Sequence, residues 1–154
     1  MRLLAPNKND DQRLIVNSHN DRQKITELNC ARRWLAAYNK INQTGYCCLK
    51  ANYFPSEVDV YVYRDKEVGR PLRLQITKAR FDSLTAAIQR KKGLYSPEQK
   101  ADLFLLLDFS GPISLDKLSI WQNKNLRLLS GSGFLEIWLV GSRGNIISLW
   151  PGLA

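Results

Sequence analysis

A single histidine, His19, stands in 154 residues, and the three cysteines, Cys30, Cys47 and Cys48, form no CxxC pair. That leaves too few ligands for a structural zinc site. An odd cysteine count with two adjacent gives no disulfide framework either, and reduced, partly buried thiols are the expectation. No apolar run reaches transmembrane length, and the opening Met1-Arg2-Leu3-Leu4-Ala5-Pro6 is too short for a signal peptide. A cytoplasmic chain with no membrane partner is therefore expected. Neither Ser110-Gly111 nor Ser130-Gly131-Ser132-Gly133 has the form of a phosphate loop or a nucleophile elbow, so both read as loops. There is no internal repeat and no low-complexity segment.

Acidic residues are scarce too: 14 Asp and Glu face 23 Lys and Arg, a net charge of +9. The imbalance is uneven. Residues 1–45 carry eight basic against four acidic side chains, residues 46–101 eleven against six, and residues 102–154 four against four. A basic field over the first two-thirds favours a polyanion such as nucleic acid or an anionic membrane surface. A charge kept only for solubility is the plain alternative. With 44% hydrophobic and 24% charged residues, the chain has the composition of a globular protein able to bury one core.

What is present is ordered patterning. Beyond the opening Met1–Pro6, residues 1–20 are polar except for Leu14-Ile15-Val16, and the whole stretch reads as an N-terminal arm ahead of one domain at 21–154. Ile25, Leu28, Ala31, Leu35 and Tyr38, widened by Trp34 and Ile41, recur at helical spacing and predict a helix over 21–43, ended by Gly45. Residues 46–53 are strand-like, and Pro55-Ser56 interrupts them. A second helix is predicted over 81–92 with Leu84, Ala87 and Ile88 inward, then a loop over 93–100. Leu103-Phe104-Leu105-Leu106-Leu107 is a continuous apolar run suited to a strand covered on both faces. A short helix over 113–123 and a hairpin of 134–140 with 145–149 complete the order.

The candidate site lies between the helices. Val58, Val60 and Val62 alternate with Asp59, Tyr61 and Tyr63; Leu72, Leu74 and Ile76 alternate with Arg73, Gln75 and Thr77. Paired through a turn near 65–69, these strands place both apolar rows on one face, with Asp59 and Gln75 on the other. A carboxylate and an amide oxygen side by side in a basic protein can hold a divalent cation. Glu57 is a rival ligand, or a solvating charge at the strand end. Arg90-Lys91-Lys92 suits a helix C-terminus and also a phosphate contact.

The order helix, three strands, helix, strand resembles the αβββαβ core of the PD-(D/E)xK nuclease superfamily, the restriction-endonuclease-like fold, an α/β class with a mixed central sheet flanked by helices. Ser56-Glu57-Val58-Asp59 resembles its Asp motif and Gln75-Ile76-Thr77 its second motif, with Glu27 as the helix carboxylate; the likeness spans about residues 21–109. The resemblance implies an endonuclease that hydrolyses phosphodiesters of DNA with Mg²⁺ or Mn²⁺, and a homodimer. Asp59, Gln75 and the Ile76 carbonyl would hold the metal, with Lys78 as the phosphate-stabilising cation and Glu27 as an accessory carboxylate. Arg73, Arg80, Arg90, Lys91 and Lys92 would meet nucleic acid. The chain departs from the pattern at Thr77, where the family has its lysine. Lys78 should point to the opposite face unless a bulge re-aims it, or Arg73, Arg80, Lys91 or Lys92 supplies the charge. A second implication is a weakened nuclease-like fold serving as a nucleic-acid-binding or protein-interaction module, the latter through an apolar hairpin at 134–150.

Overall fold

The computed structural model describes residues 19–64 and 69–152, so the arm up to residue 18 and most of the turn near 65–69 lie outside the described residues. Helix α1 (His19–Asn42) is followed by strands β1 (Cys48–Ala51), β2 (Val60–Tyr63) and β3 (Leu72–Ala79). A single 3₁₀ turn (Phe81–Ser83) leads into α2 (Leu84–Leu94), and α3 (Pro97–Lys100) precedes β4 (Leu103–Phe109). Helices α4 (Leu115–Lys124) and α5 (Leu126–Ser130) then lead to β5 (Glu136–Val140) and β6 (Ile146–Trp150). Among the described residues, no helix is long and apolar enough to cross a membrane.

The six strands form one mixed sheet in chain order, β1 to β6. β1, β2 and β3 are antiparallel, β3, β4 and β5 parallel, and β6 turns back along β5. β4 runs through the middle with Leu103 to Leu107 all buried, as its unbroken apolar run requires. One face carries Val60, Val62, Leu74, Ile76, Phe104, Leu106, Trp138 and Val140 against Cys30, Ala31, Trp34 and Leu35 of α1. The other face carries Leu103, Leu105, Leu107, Ile137 and Leu139 against Leu84, Ala87 and Ile88 of α2, Leu118 of α4 and Leu129 of α5. The protein is therefore an α/β fold with helices on both faces of a mixed sheet.

Four local expectations change. The helical stripe is narrower than its periodicity, because Ile25 and Ile41 lie near the helix ends and are nearly half exposed. α1 stops at Asn42, where Gln43 enters the left-handed region (φ 53°), two residues before Gly45. The stretch 93–100 is no loop: α2 runs on through Gly93, and Ser96 caps α3, its Oγ accepting from Gln99 N at 3.2 Å while Gln99 Oε1 accepts from Ser96 N at 2.8 Å. Most of the apolar side chains in the β5–β6 hairpin go into the core, with Phe134, Ile137, Trp138, Leu139, Val140 and Leu149 buried, while Leu135 stays nearly half exposed and Ile146, Ile147 and Trp150 are partly so.

One ion pair ties α1 to the sheet beside the candidate site. Arg33 Nη2 donates to Asp108 Oδ1 at 2.8 Å and Arg33 Nε to the Gly141 carbonyl at 3.2 Å, joining the helix to the ends of β4 and β5. Asp108 is mostly buried and would be left without this partner. Arg33→Ala is expected to cost about 1–3 kcal/mol in urea unfolding at pH 7. A change below about 0.5 kcal/mol would show that the pair holds nothing in place.

Candidate functional site

The site forms where the antiparallel half of the sheet ends. β3 pairs in step with β4 from Arg73 opposite Leu103 to Ala79 opposite Phe109, but with β2 only from Leu72 to Leu74. The β2-facing edge of β3 beyond Leu74 is therefore open. Asp59 fills the start of this notch. Its N–H donates to the Leu74 carbonyl at 2.8 Å, although Val60 already stands opposite Leu74, so two residues meet one. That irregularity sends Val58 into the α2-side core while Val60 and Val62 face α1, which corrects the expected single row. It also turns the Asp59 carboxylate along the edge, where Oδ2 accepts from Ile76 N at 2.8 Å.

α1 brings the second carboxylate. Glu27 is 5% exposed; Oε2 accepts from Gln23 Nε2 at 3.2 Å, and Oε1 lies 3.3 Å from Lys24 Nζ without hydrogen-bond geometry. The same Lys24 amine stands 4.0 Å from Asp59 Oδ1, so it links the two acids. Burial, and then the negative charge of Glu27, push Asp59 up to about 6; the Ile76 N–H and the cations Lys24 and Lys91 oppose the rise. Lys24 escaped the sequence reading. Its signal was the position three residues before Glu27, where one helix face carries both.

Gln75 is not on a wet face. It is 2% exposed, on the α2 side of the sheet, and Asp59 bonds to its neighbours on either side, Leu74 and Ile76. Gln75 Nε2 donates to the Glu57 carbonyl at 2.8 Å, while Oε1 is buried and has no hydrogen-bond partner. An unmet buried acceptor costs about 1–3 kcal/mol, a cost that a bound water or a cation at this oxygen would remove. The Ile76 carbonyl shares the edge of its own N–H, toward Asp59. Among the described residues no three His, Cys, Asp or Glu side chains converge into a metal-binding group. Two carboxylates with neutral oxygens suit a cation that keeps much of its water, as Mg²⁺ does, and not a closed protein cage.

Around this edge lies a cleft of about 540 Å³ lined by Glu27, Ile76, Thr77, Lys78, Arg90 and Lys91, among others. β3 and β4 stay in register through Thr77 and Lys78, so there is no bulge to re-aim the lysine. Lys78 nevertheless reaches the cleft, because the cleft opens on the α1 side where its side chain already points. Thr77, at the family's lysine position, accepts from Arg90 Nη2 at 3.2 Å. Lys91 lies on the cleft wall near enough to feel both acids, though the cation at ion-pair distance from them is Lys24. Burial and then Arg90 lower the pKa of Lys91, and the charges of Asp59 and Glu27 sustain it.

The remaining basic candidates part from the site. Arg73 is held by Glu57 and Asp102, which makes both Arg73 and Glu57 structural partners and removes Glu57 as the rival ligand. Arg80 lines a separate recess of about 320 Å³ with Ser110, Gly111 and Lys117. Lys92 does not line the cleft; its carbonyl accepts from Lys100 Nζ at 2.9 Å. The sequence reading also passed over Arg22 and Asp108, which line the cleft from α1 and from the end of β4. Compared with protein-family models, with curated proteins and with solved structures, the chain finds no match in any of the three.

Proposed function

We propose that this chain is a metal-dependent phosphodiesterase of the PD-(D/E)xK nuclease type, acting on DNA. The observation that carries the reading is the buried Glu27 on the wall of a cleft that also bears Lys78, Arg90 and Lys91, with Asp59, itself outside the lining, linked to Glu27 through Lys24 and bonded to the lining residue Ile76. Supporting it are the helix, three-strand, helix, strand order and the orphaned oxygen of Gln75, whose chain neighbours Leu74 and Ile76 both bond to Asp59. Asp59, Gln75 through Oε1 and the Ile76 carbonyl would hold Mg²⁺ or Mn²⁺, with Glu27 completing the site through water. A cation bound there polarises the scissile phosphate and lowers the pKa of an attacking water. Lys91 stabilises charge developing on the phosphoryl oxygens, the part the family gives to the lysine that is Thr77 here. Arg90 and Lys78 position the flanking phosphates.

The test is cleavage of labelled single-stranded, duplex and branched DNA with Mg²⁺, Mn²⁺ or EDTA, comparing wild type with Asp59→Ala. Metal-dependent cutting lost in the variant supports the reading. Equal cutting by both proteins overturns it.

A second reading, a nuclease-like fold that binds nucleic acid without cutting it, has one observation in its favour. Gln75 stands where a second acid would strengthen the metal site, so the cation is held less tightly. It predicts binding that weakens steeply with salt and is unchanged by Asp59→Ala, with no turnover under any metal condition. Glu27→Gln separates the two readings: cleavage with saturating Mn²⁺ but little with Mg²⁺ belongs to a catalytic site that has lost one of its two charges.

A further inference from the structure

Phe54 is 80% exposed, more than any other large hydrophobic side chain among the described residues. An exposed ring on a loose loop would mean little, but this loop is braced at every turn. Asn52, itself 8% exposed, donates from Nδ2 to Ser56 Oγ and to the Val58 carbonyl, both at 2.9 Å, and its Oδ1 accepts from Phe54 N at 3.1 Å. Ser56 Oγ accepts from Val58 N at 3.0 Å, and Pro55 restricts the tip further. The base of the loop is closed by Asn52 N–H donating to the carbonyl of Asp59 at 2.9 Å. A rigid frame thus holds one large ring in solvent and is bonded at its foot to Asp59, whose carboxylate accepts from Ile76 on the cleft wall. Phe54 follows Asn52 by two residues, so its Cα lies within about 13 Å of that of Asp59.

We infer that Phe54 is a stacking platform for an unpaired base next to the phosphate that enters the cleft, so that the preferred substrate is single-stranded or has unpaired bases at the cut site. The inference rests on the nucleic-acid reading of the cleft and names its substrate class. The cations lining the cleft attract a polyanion of any sequence, whereas a fixed aromatic face gains most from a base that is free to leave its own stack. A duplex hides those faces and offers phosphates alone.

The experiment reads binding without chemistry. Fluorescence anisotropy in EDTA compares a labelled single-stranded oligonucleotide, an abasic strand of equal length and a duplex, each with wild type, Phe54→Ala and Phe54→Trp. Phe54→Ala should weaken the base-bearing single strand by about five- to a hundredfold and leave the abasic strand and the duplex unchanged. Phe54→Trp should restore the affinity. An unchanged single-strand affinity, or an equal loss on the abasic strand, overturns the inference. So does failure of wild type to bind any of the three, with concentration-dependent association that Phe54→Ala abolishes; that result would make Phe54 a protein contact. Because no cleavage is read, this test and the Asp59→Ala cleavage test fail independently. Base-dependent binding with metal-independent or absent cutting would retain the platform and reject the nuclease.

Discussion

If the proposed activity holds, Asp59→Ala should lower metal-dependent cleavage by about a thousandfold or more, Lys91→Met by about a hundredfold, and Lys78→Met by less than about tenfold. The ranking follows from where each group stands. Asp59 is 15% exposed and bonded to the strand edge, so its loss would remove both the proposed metal oxygen and the group bonded to the open edge of β3. Loss of a charge stabilisation of several kcal/mol corresponds to three or more decades of rate. Lys91 is half-buried and feels both acids, so its charge acts through a poorly screened medium, where a preorganised donor is worth about two to three decades. Lys78 is exposed at the cleft wall, where water and salt screen it. Single-turnover cleavage at saturating enzyme measures all three. If Lys78→Met were the more damaging lysine variant, the chain would use the amine adjacent to the family position, and the assignment of Lys91 would fall.

Much of this arrangement could be read from the sequence, and the parts that could not have definite physical causes. The α/β class, α1, the apolar β4 and the inward side of α2 follow from periodicity, because a burial pattern repeats itself many times along each element. Alternation places Asp59 and Gln75 on one wet face, whereas Gln75 is buried on the α2 side and Asp59 turns to the strand edge; Glu27 follows from the resemblance. The failures cluster at positions where a single irregularity decides the outcome. Two residues opposing Leu74 reverse the face of Val58 and turn Asp59 to the edge, and no repeating signal announces such a step. Arg73 could not be told from a phosphate contact, because its partner Asp102 is 29 residues distant in the chain. The sequence marks Lys91 only as a basic residue at a helix end, because its nearness to Asp59 and Glu27 depends on α2 crossing the far face of the sheet. The capping box Ser96-Pro97-Glu98-Gln99 was legible and was passed over as a loop, since four residues give no period.

Asp59→Asn makes the metal-free protein more stable at pH 7.5, by about 2–3 kcal/mol. A buried carboxylate beside a second one is a cost that the fold carries for its site, and that cost has a definite pH window. With Asp59 raised from 3.8 to about 6, the folded chain keeps a proton that the unfolded chain releases. Stability therefore falls as pH rises through about 4 to 6 and is level above, because in that window the folded state binds more protons. At 1.36 kcal/mol per unit the full penalty reaches about 3 kcal/mol. Asparagine retains an acceptor for Ile76 N–H but carries no charge, so it escapes the penalty at every pH. The gap between variant and wild type should close below about pH 4 and open to roughly 5–10 °C in Tm above pH 6. On the proposed metal site, divalent cation should reverse the order: Mg²⁺ or Mn²⁺ would neutralise the pair only in wild type and compete with the proton, so its stabilisation should grow from pH 5 to pH 8 and be nearly absent in Asp59→Asn. Thermal unfolding of both proteins across pH 4–8, with EDTA and with Mn²⁺, reads both effects. A variant less stable than wild type in EDTA at pH 7.5 would mean that Lys24 and Lys91 already compensate Asp59 in full, and that the notch needs no cation.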